Sequence, residues 1–87
     1  IIDLTANNEN VVVEIAAHTD DVGQEKDNLI LSKKRPNAVR DYLISRGVLE
    51  QQLIAKGYGE VQPIVPNTSE ENRSLNRRVE IIIRIVN

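Results

Sequence analysis

The chain predicts one α/β (α+β) domain built as a two-layer sandwich, with helices packed on one face of a small sheet. Three stretches of its 87 residues carry that prediction. They are an apolar β-branched run, a long segment of helical periodicity and a second alternating apolar run near the C-terminus.

The first run is VVVEIAA at 11–17, preceded by the turn-forming cluster NNEN at 7–10. A strand there points Val11, Val13, Ile15 and Ala17 one way and Val12, Glu14 and Ala16 the other. Ahead of it, IIDLTA at 1–6 reads as the last turn of a helix. The chain then turns through HTDDVG, where Gly23 is free to take a positive φ. From about Gln24 to Ser45 apolar residues recur by threes and fours, with Leu31, Ala38 and Tyr42 on one side and Val39 and Leu43 beside them. Pro36 falls inside this pattern, removes a backbone donor and crowds the preceding turn, so we expect a continuous helix kinked there. Gly47 closes the helix as a C′ residue.

LEQQL at 49–53 reads as a short helical turn, IAKGYGE at 54–60 as a short strand, and VQPIVPNTSEEN, with two prolines, as a loop. Thr68 and Glu71 have the spacing of a capping box that opens a short helix to about Leu75. The final run, RRVEIIIRIV at 77–86, sets Val79, Ile81, Ile83 and Ile85 on one fully apolar face, opposite Glu80, Ile82 and Arg84. In this β-α-β-α-β order the strands at 11–17 and 54–59 become parallel neighbours through a right-handed crossover.

Composition excludes several function classes. Tyr42 and Tyr58 are the only large aromatic residues, too few for a carbohydrate- or base-stacking platform. Eleven basic and 13 acidic residues are well mixed, for a net charge of -2, so no nucleic-acid partner is expected. With no cysteine and a single histidine, neither a thiolate site nor a zinc centre is expected, and no cofactor is called for. No run is long enough to span a bilayer, so this domain is not expected to insert in the membrane. The missing initiator methionine suggests a fragment or mature domain of a longer protein.

Asp20 and Asp21 follow the C-terminal end of a strand, a common place for ligand groups in α/β layers. They either cap the next helix or accept charge-assisted hydrogen bonds from an ammonium. Arg35, about three turns along the helix, is either a solvated neighbour of Lys33 and Lys34 or a two-pronged donor to a carboxylate. Asn28 stands two turns before it on the same side. Arg77 and Arg78 flank the last strand, and His18 and Thr19 border the loop. No serine or cysteine has a base and an orienting group near it in sequence, which leaves a small binding domain as the reading of the residues and not an enzyme.

Taken together, EIAAHTDDVG, NLILSKKRPNAVRDYLISRGV, LIAKGYGEVQPIVPN and NRSLNRRVEIII resemble the C-terminal peptidoglycan-binding domain of outer-membrane protein A. The same domain type occurs in peptidoglycan-associated lipoproteins and flagellar stator proteins. The resemblance runs from about residue 10 to residue 87, and four motifs in order at family-like spacing are specific where each alone is weak. It implies a non-catalytic module in the periplasm of a Gram-negative bacterium that anchors an outer-membrane or envelope protein to the cell wall. The ligand implied is the meso-diaminopimelate of the peptidoglycan stem peptide. By the match of motifs, Asp20 takes the diaminopimelate ammonium and Arg35 its carboxylate, Asn28 and Arg78 line the pocket, and Thr19 and Leu31 supply adjoining walls. Lysine-type stems, which lack that carboxylate, would be rejected.

The chain departs from the family in two places. Pro36 stands where the family has alanine after the binding arginine. The family's βαβαβ-type, mixed four-stranded arrangement also begins with a strand and helix of which only residues 1–6 are expected here, so the domain is expected to be N-terminally incomplete over 1–87. Another molecule completing the sheet, as in a homodimer, is one way to satisfy the exposed edge. The alternative function is a protein-interaction domain of the envelope whose pocket is degenerate.

Overall fold

The computed structural model describes residues 2–86, so Ile1 and Asn87 lie outside the described residues. The elements are α1 (Ile2–Thr5), β1 (Val11–His18), α2 (Glu25–Ser45), a 3₁₀ turn (Glu50–Gln52), β2 (Leu53–Gly57), α3 (Glu70–Asn76) and β3 (Arg78–Ile85). The strands form a mixed sheet in the order β2-β1-β3. β1 runs parallel to β2, with Val13 opposite Leu53, and antiparallel to β3, with Ile15 opposite Ile81. The parallel β1–β2 pair is the one expected across a helical connection.

Strand alternation builds the core. Val11, Val13 and Ile15 point toward α2 and form a buried cluster with Leu43, Val48 and Leu53. Ile2, Val39, Ile44 and Val79 pack against that cluster. Gln52 is buried below it, its Nε2 lying 3.2, 2.8 and 3.3 Å from the carbonyls of Thr5, Asn8 and Val11. One side chain thereby satisfies the polar backbone of the turn into β1.

The buried face of α2 is only partly the one predicted: Val39 and Leu43 reach the core as expected, but the rest of the apolar stripe does not. Asn28, Ser32, Pro36 and Leu43 turn inward, whereas Leu31 and Tyr42 are 58% and 56% exposed. The reason lies in β2. A Cβ on Gly57 would stand 2.6 Å from the Lys33 amide nitrogen and the Ser32 carbonyl carbon, and one on Gly59 3.1 Å from Leu29 Cα. The sheet lies so close to the helix that only a small or polar face fits between them. Ser32 Oγ accepts a hydrogen bond from the Gly59 amide at 2.9 Å and donates to the Leu29 carbonyl at 2.9 Å. The helix runs unbroken through Pro36, whose ring is buried on that same face.

Two boundaries move. β2 ends at Gly57, three residues short of the predicted end, because Gly59 takes a φ of 60°. Pairing persists irregularly, from the Tyr58 amide to the Ala17 carbonyl at 3.0 Å and from the Thr19 amide to the Gly59 carbonyl at 2.9 Å. α3 is capped by Ser69 and not by Thr68: Ser69 has the extended backbone an N-cap needs, and its hydroxyl accepts from the Asn72 amide at 3.1 Å. Gly47, at φ 97°, ends α2 as expected.

The apolar face of β3 is present but only partly buried. Ile81, Ile83 and Ile85 lie on the α2 side of the sheet, opposite Ile15, Val13 and Val11, yet are 43%, 50% and 70% exposed. α2 lies mainly over β2 and β1 and covers little of β3.

Replacing Gly57 by alanine forces β2 and α2 apart, because besides the Ser32 hydroxyl two backbone atoms of α2 stand 2.6 Å from the added Cβ and cannot rotate away. We expect Gly57→Ala to lose about 1–3 kcal/mol or more, read from the urea unfolding midpoint. A midpoint equal to wild type would contradict the close approach.

Candidate binding site

At the C-terminal end of β1 the chain leaves the sheet through residues 19–23, and this loop is tied down by its own polar groups. The Thr19 hydroxyl donates to the Asp20 carbonyl at 2.8 Å, and the Val22 amide donates to Asp20 Oδ1 at 3.0 Å, a turn closed by a side chain. Asn28, buried in the second turn of α2, directs its Nδ2 at the carbonyls of Asp20 and Val22 (3.3 and 3.0 Å) and at Glu60 Oε1 (3.2 Å). A helix side chain thus holds the loop from beneath, so the direction of the Asp20 carboxylate is set by backbone anchored on both sides.

The loop, the adjoining face of α2 and the start of β3 line an open cavity of about 640 Å³. Thr19, Asp20, Asn28, Leu31, Arg35 and Arg78, the six residues singled out from the sequence, all line it. His18, Ser32, Lys34 and Arg77 also line it. Asp20 is the one carboxylate on this wall, facing the cations Lys34, Arg35, Arg77 and Arg78.

These cations are not equivalent. Arg78 is held by Glu80 (2.7 Å) and by the carbonyls of Asn76 (3.1 Å) and Gln62 (3.0 Å). Arg77 places Nη1 2.6 Å from Asp20 Oδ2 and Nη2 2.7 Å from Glu70 Oε1. Arg73 reaches Asp21 at 3.2 Å, so α3 is joined to the loop by two ion pairs. Arg35 and Lys34 are exposed and have no ion-pair partner among the described residues. The Asp20–Arg77 contact was not visible in the sequence, where Arg77 reads as a charge flanking a strand. The two positions are 57 residues apart, and nothing local links them.

Electrostatics follow from these contacts. Burial works to raise the Asp20 carboxyl, but the Arg77 hydrogen bond, the Val22 amide and the charges of Arg77 and Arg73 together hold it below its ordinary 3.8. His18, stacked on Tyr58 with ring centroids 5.1 Å apart, is pushed below its ordinary 6.5 by burial and then by the Arg78 charge, with Glu80 opposing. Its Nε2 lies 3.4 Å from Glu80 Oε1, a long and weak contact, and neither ring nitrogen has a well-formed hydrogen bond among the described residues. Glu80 is lowered chiefly by its hydrogen bond from Arg78, against burial.

His18 therefore couples folding to pH. Its folded pKa lies below the unfolded value, so the unfolded chain binds the proton first. The contribution of the neutral ring is whole above 6.5 and is lost as pH falls from there through the folded value. We expect the urea midpoint to drop between neutral and mildly acid pH, and His18→Gln to flatten that part of the profile; an unchanged slope in the variant would assign it to other groups. Asp20 and its depressed carboxyl act further into acid, below 3.8.

The sequence matches the family model described as OmpA family over residues 1–77. The chain is 44% identical over 71 residues to the peptidoglycan-binding protein ArfA of Mycobacterium tuberculosis, covering 82% of this chain and 22% of that protein. It is 39% identical over 79 residues to the peptidoglycan-associated lipoprotein of Pseudomonas putida, covering 91% of this chain and 46% of that one. The chain thus spans less than half the length of either relative. The crystal structure of the peptidoglycan-associated lipoprotein from Burkholderia pseudomallei superposes with a TM-score of 0.87 at 28% identity, over 95% of this chain and 70% of that one. With a three-stranded mixed sheet, a loop-and-helix cavity at the end of its central strand and a family match over 77 residues, the chain belongs to the OmpA family.

Proposed function

We propose that this domain is a non-catalytic anchor that binds the peptide stem of peptidoglycan, with meso-diaminopimelate as the residue it grips. One observation carries this reading. A single cavity sets an oriented carboxylate, Asp20, against a wall of cations in which Arg35 has no ion-pair partner among the described residues. A zwitterionic side-chain end offers an ammonium to the first and a carboxylate to the second. Arg35 has the planar fork for a two-pronged carboxylate contact. Asn28 holds the Asp20 loop, Thr19 and Leu31 form adjoining wall, and Arg78, fixed by Glu80, presents a second guanidinium. The relatives named for peptidoglycan binding or association support the ligand class. They also support a place in the periplasmic envelope, where the domain would hold an outer-membrane or envelope protein against the wall.

The test is calorimetric titration of the folded domain with a diaminopimelate-containing stem peptide and with its lysine counterpart. We expect binding confined to the first, with Arg35→Gln weakening it by about tenfold or more, the scale of a lost charge-assisted hydrogen bond, and Asp20→Asn weakening it by less. Equal affinity for the two stems would remove Arg35 from the carboxylate contact. Absence of binding to either would favour a protein-interaction domain with a degenerate pocket.

Because Asp20 sits below its ordinary 3.8, its contribution should persist to lower pH than that of a free carboxylate. Titration at a series of pH values is expected to show affinity for the diaminopimelate stem falling only below 3.8; loss at distinctly higher pH would point to another titrating group.

A further inference from the structure

We propose that Arg77 sets the selectivity of this site by occupying the Asp20 carboxylate in advance, so that a ligand ammonium reaches Asp20 only by exchange with a guanidinium. The inference rests on the reading of the site as a binder of diaminopimelate stems.

Each oxygen of the carboxylate already has one partner from within the chain. Oδ1 accepts the Val22 amide at 3.0 Å and Oδ2 accepts Arg77 Nη1 at 2.6 Å, while the Asp20 side chain is only 10% exposed. Arg77 is the partner able to leave, because its own side chain is 45% exposed and its second nitrogen already rests on Glu70, 2.7 Å away on the outer face of α3. Releasing Asp20 does not strand the guanidinium, since the Glu70 contact remains.

The consequence is an asymmetry between the two ends of the ligand. An arriving ammonium breaks one ion pair to make another, in a pocket already rich in positive charge, so that contact adds little net affinity. A carboxylate arriving at Arg35 breaks none, because Arg35 has no ion-pair partner among the described residues. A ligand with the amine alone therefore gains almost nothing, and the carboxylate decides whether a stem is held. Rejection of lysine-type stems then has two parts: an unfilled Arg35 and an Asp20 that is already taken.

The experiment compares wild type, Arg77→Gln and Arg77→Lys by calorimetric titration with the diaminopimelate and lysine stem peptides, each variant first shown to unfold cooperatively in urea. We expect Arg77→Gln to bind the lysine stem measurably and to narrow the preference between stems by about tenfold, with affinity for the diaminopimelate stem kept or raised. Arg77→Lys, which keeps the charge, is expected to keep the preference. A loss of diaminopimelate affinity in Arg77→Gln with the preference unchanged would make Arg77 a support for Asp20 and overturn the proposal alone. Silence of both wild type and Arg77→Gln toward both stems would overturn the proposal together with the reading beneath it.

Discussion

The near-contact between Gly57 at the end of β2 and the Ser32–Lys33 turn of α2 governs the geometry of this domain. With no side chain on Gly57, helix and strand meet backbone to backbone, and the Ser32 hydroxyl closes the gap by accepting the Gly59 amide. That approach sets the rotation of α2. It turns Asn28, Ser32 and Pro36 inward and leaves Leu31, Lys34 and Arg35 on the cavity wall. It lies one turn of helix from Pro36, where the i−4 hydrogen bond is missing in any case. The weak turn of the helix is thus the one held by the sheet.

The cavity is assembled at the ends of elements. β1 delivers the 19–23 loop, α2 brings Asn28 beneath it and Arg35 beside it, and the junction of α3 with β3 brings Arg77 and Arg78 from the far end of the chain. No one segment contains the site. Its charge pattern is correspondingly uneven, with one acid among four cations. Such crowding is tolerable because Arg77 and Arg78 are neutralised by Glu70, Asp20 and Glu80, while Arg35 and Lys34 remain open to solvent.

The same close packing has a cost on the other side of the sheet's α2 face. Covering β2 and β1 with one helix leaves Ile81, Ile83 and Ile85 of β3 half-exposed or more. The alternation of this strand was plain in the sequence and is kept in the register with β1, whereas its burial depends on what lies above it. Helix α2 shows the same division. Its length and its Gly47 stop were legible, because turn chemistry and periodicity are local. Its inward face was misread in part, because Leu31, Ala38 and Tyr42 make the more apolar stripe, and the constraint that overrode them is a glycine in another element.

By itself the sequence determined the kind and order of the elements and the parallel pairing of the first two strands, while the six candidate residues came from resemblance to a known family. The elements follow from periodicity and turn residues, which act over a few residues, and the resemblance from motifs that recur in fixed order. Tertiary structure alone decided the face α2 presents and the partner of Asp20. Each depends on how far backbone from distant segments can approach. The pairing of Asp20 with Arg77 spans 57 residues and exists only because β3 returns antiparallel beside β1, setting the residue before its first position against the loop that follows β1's last.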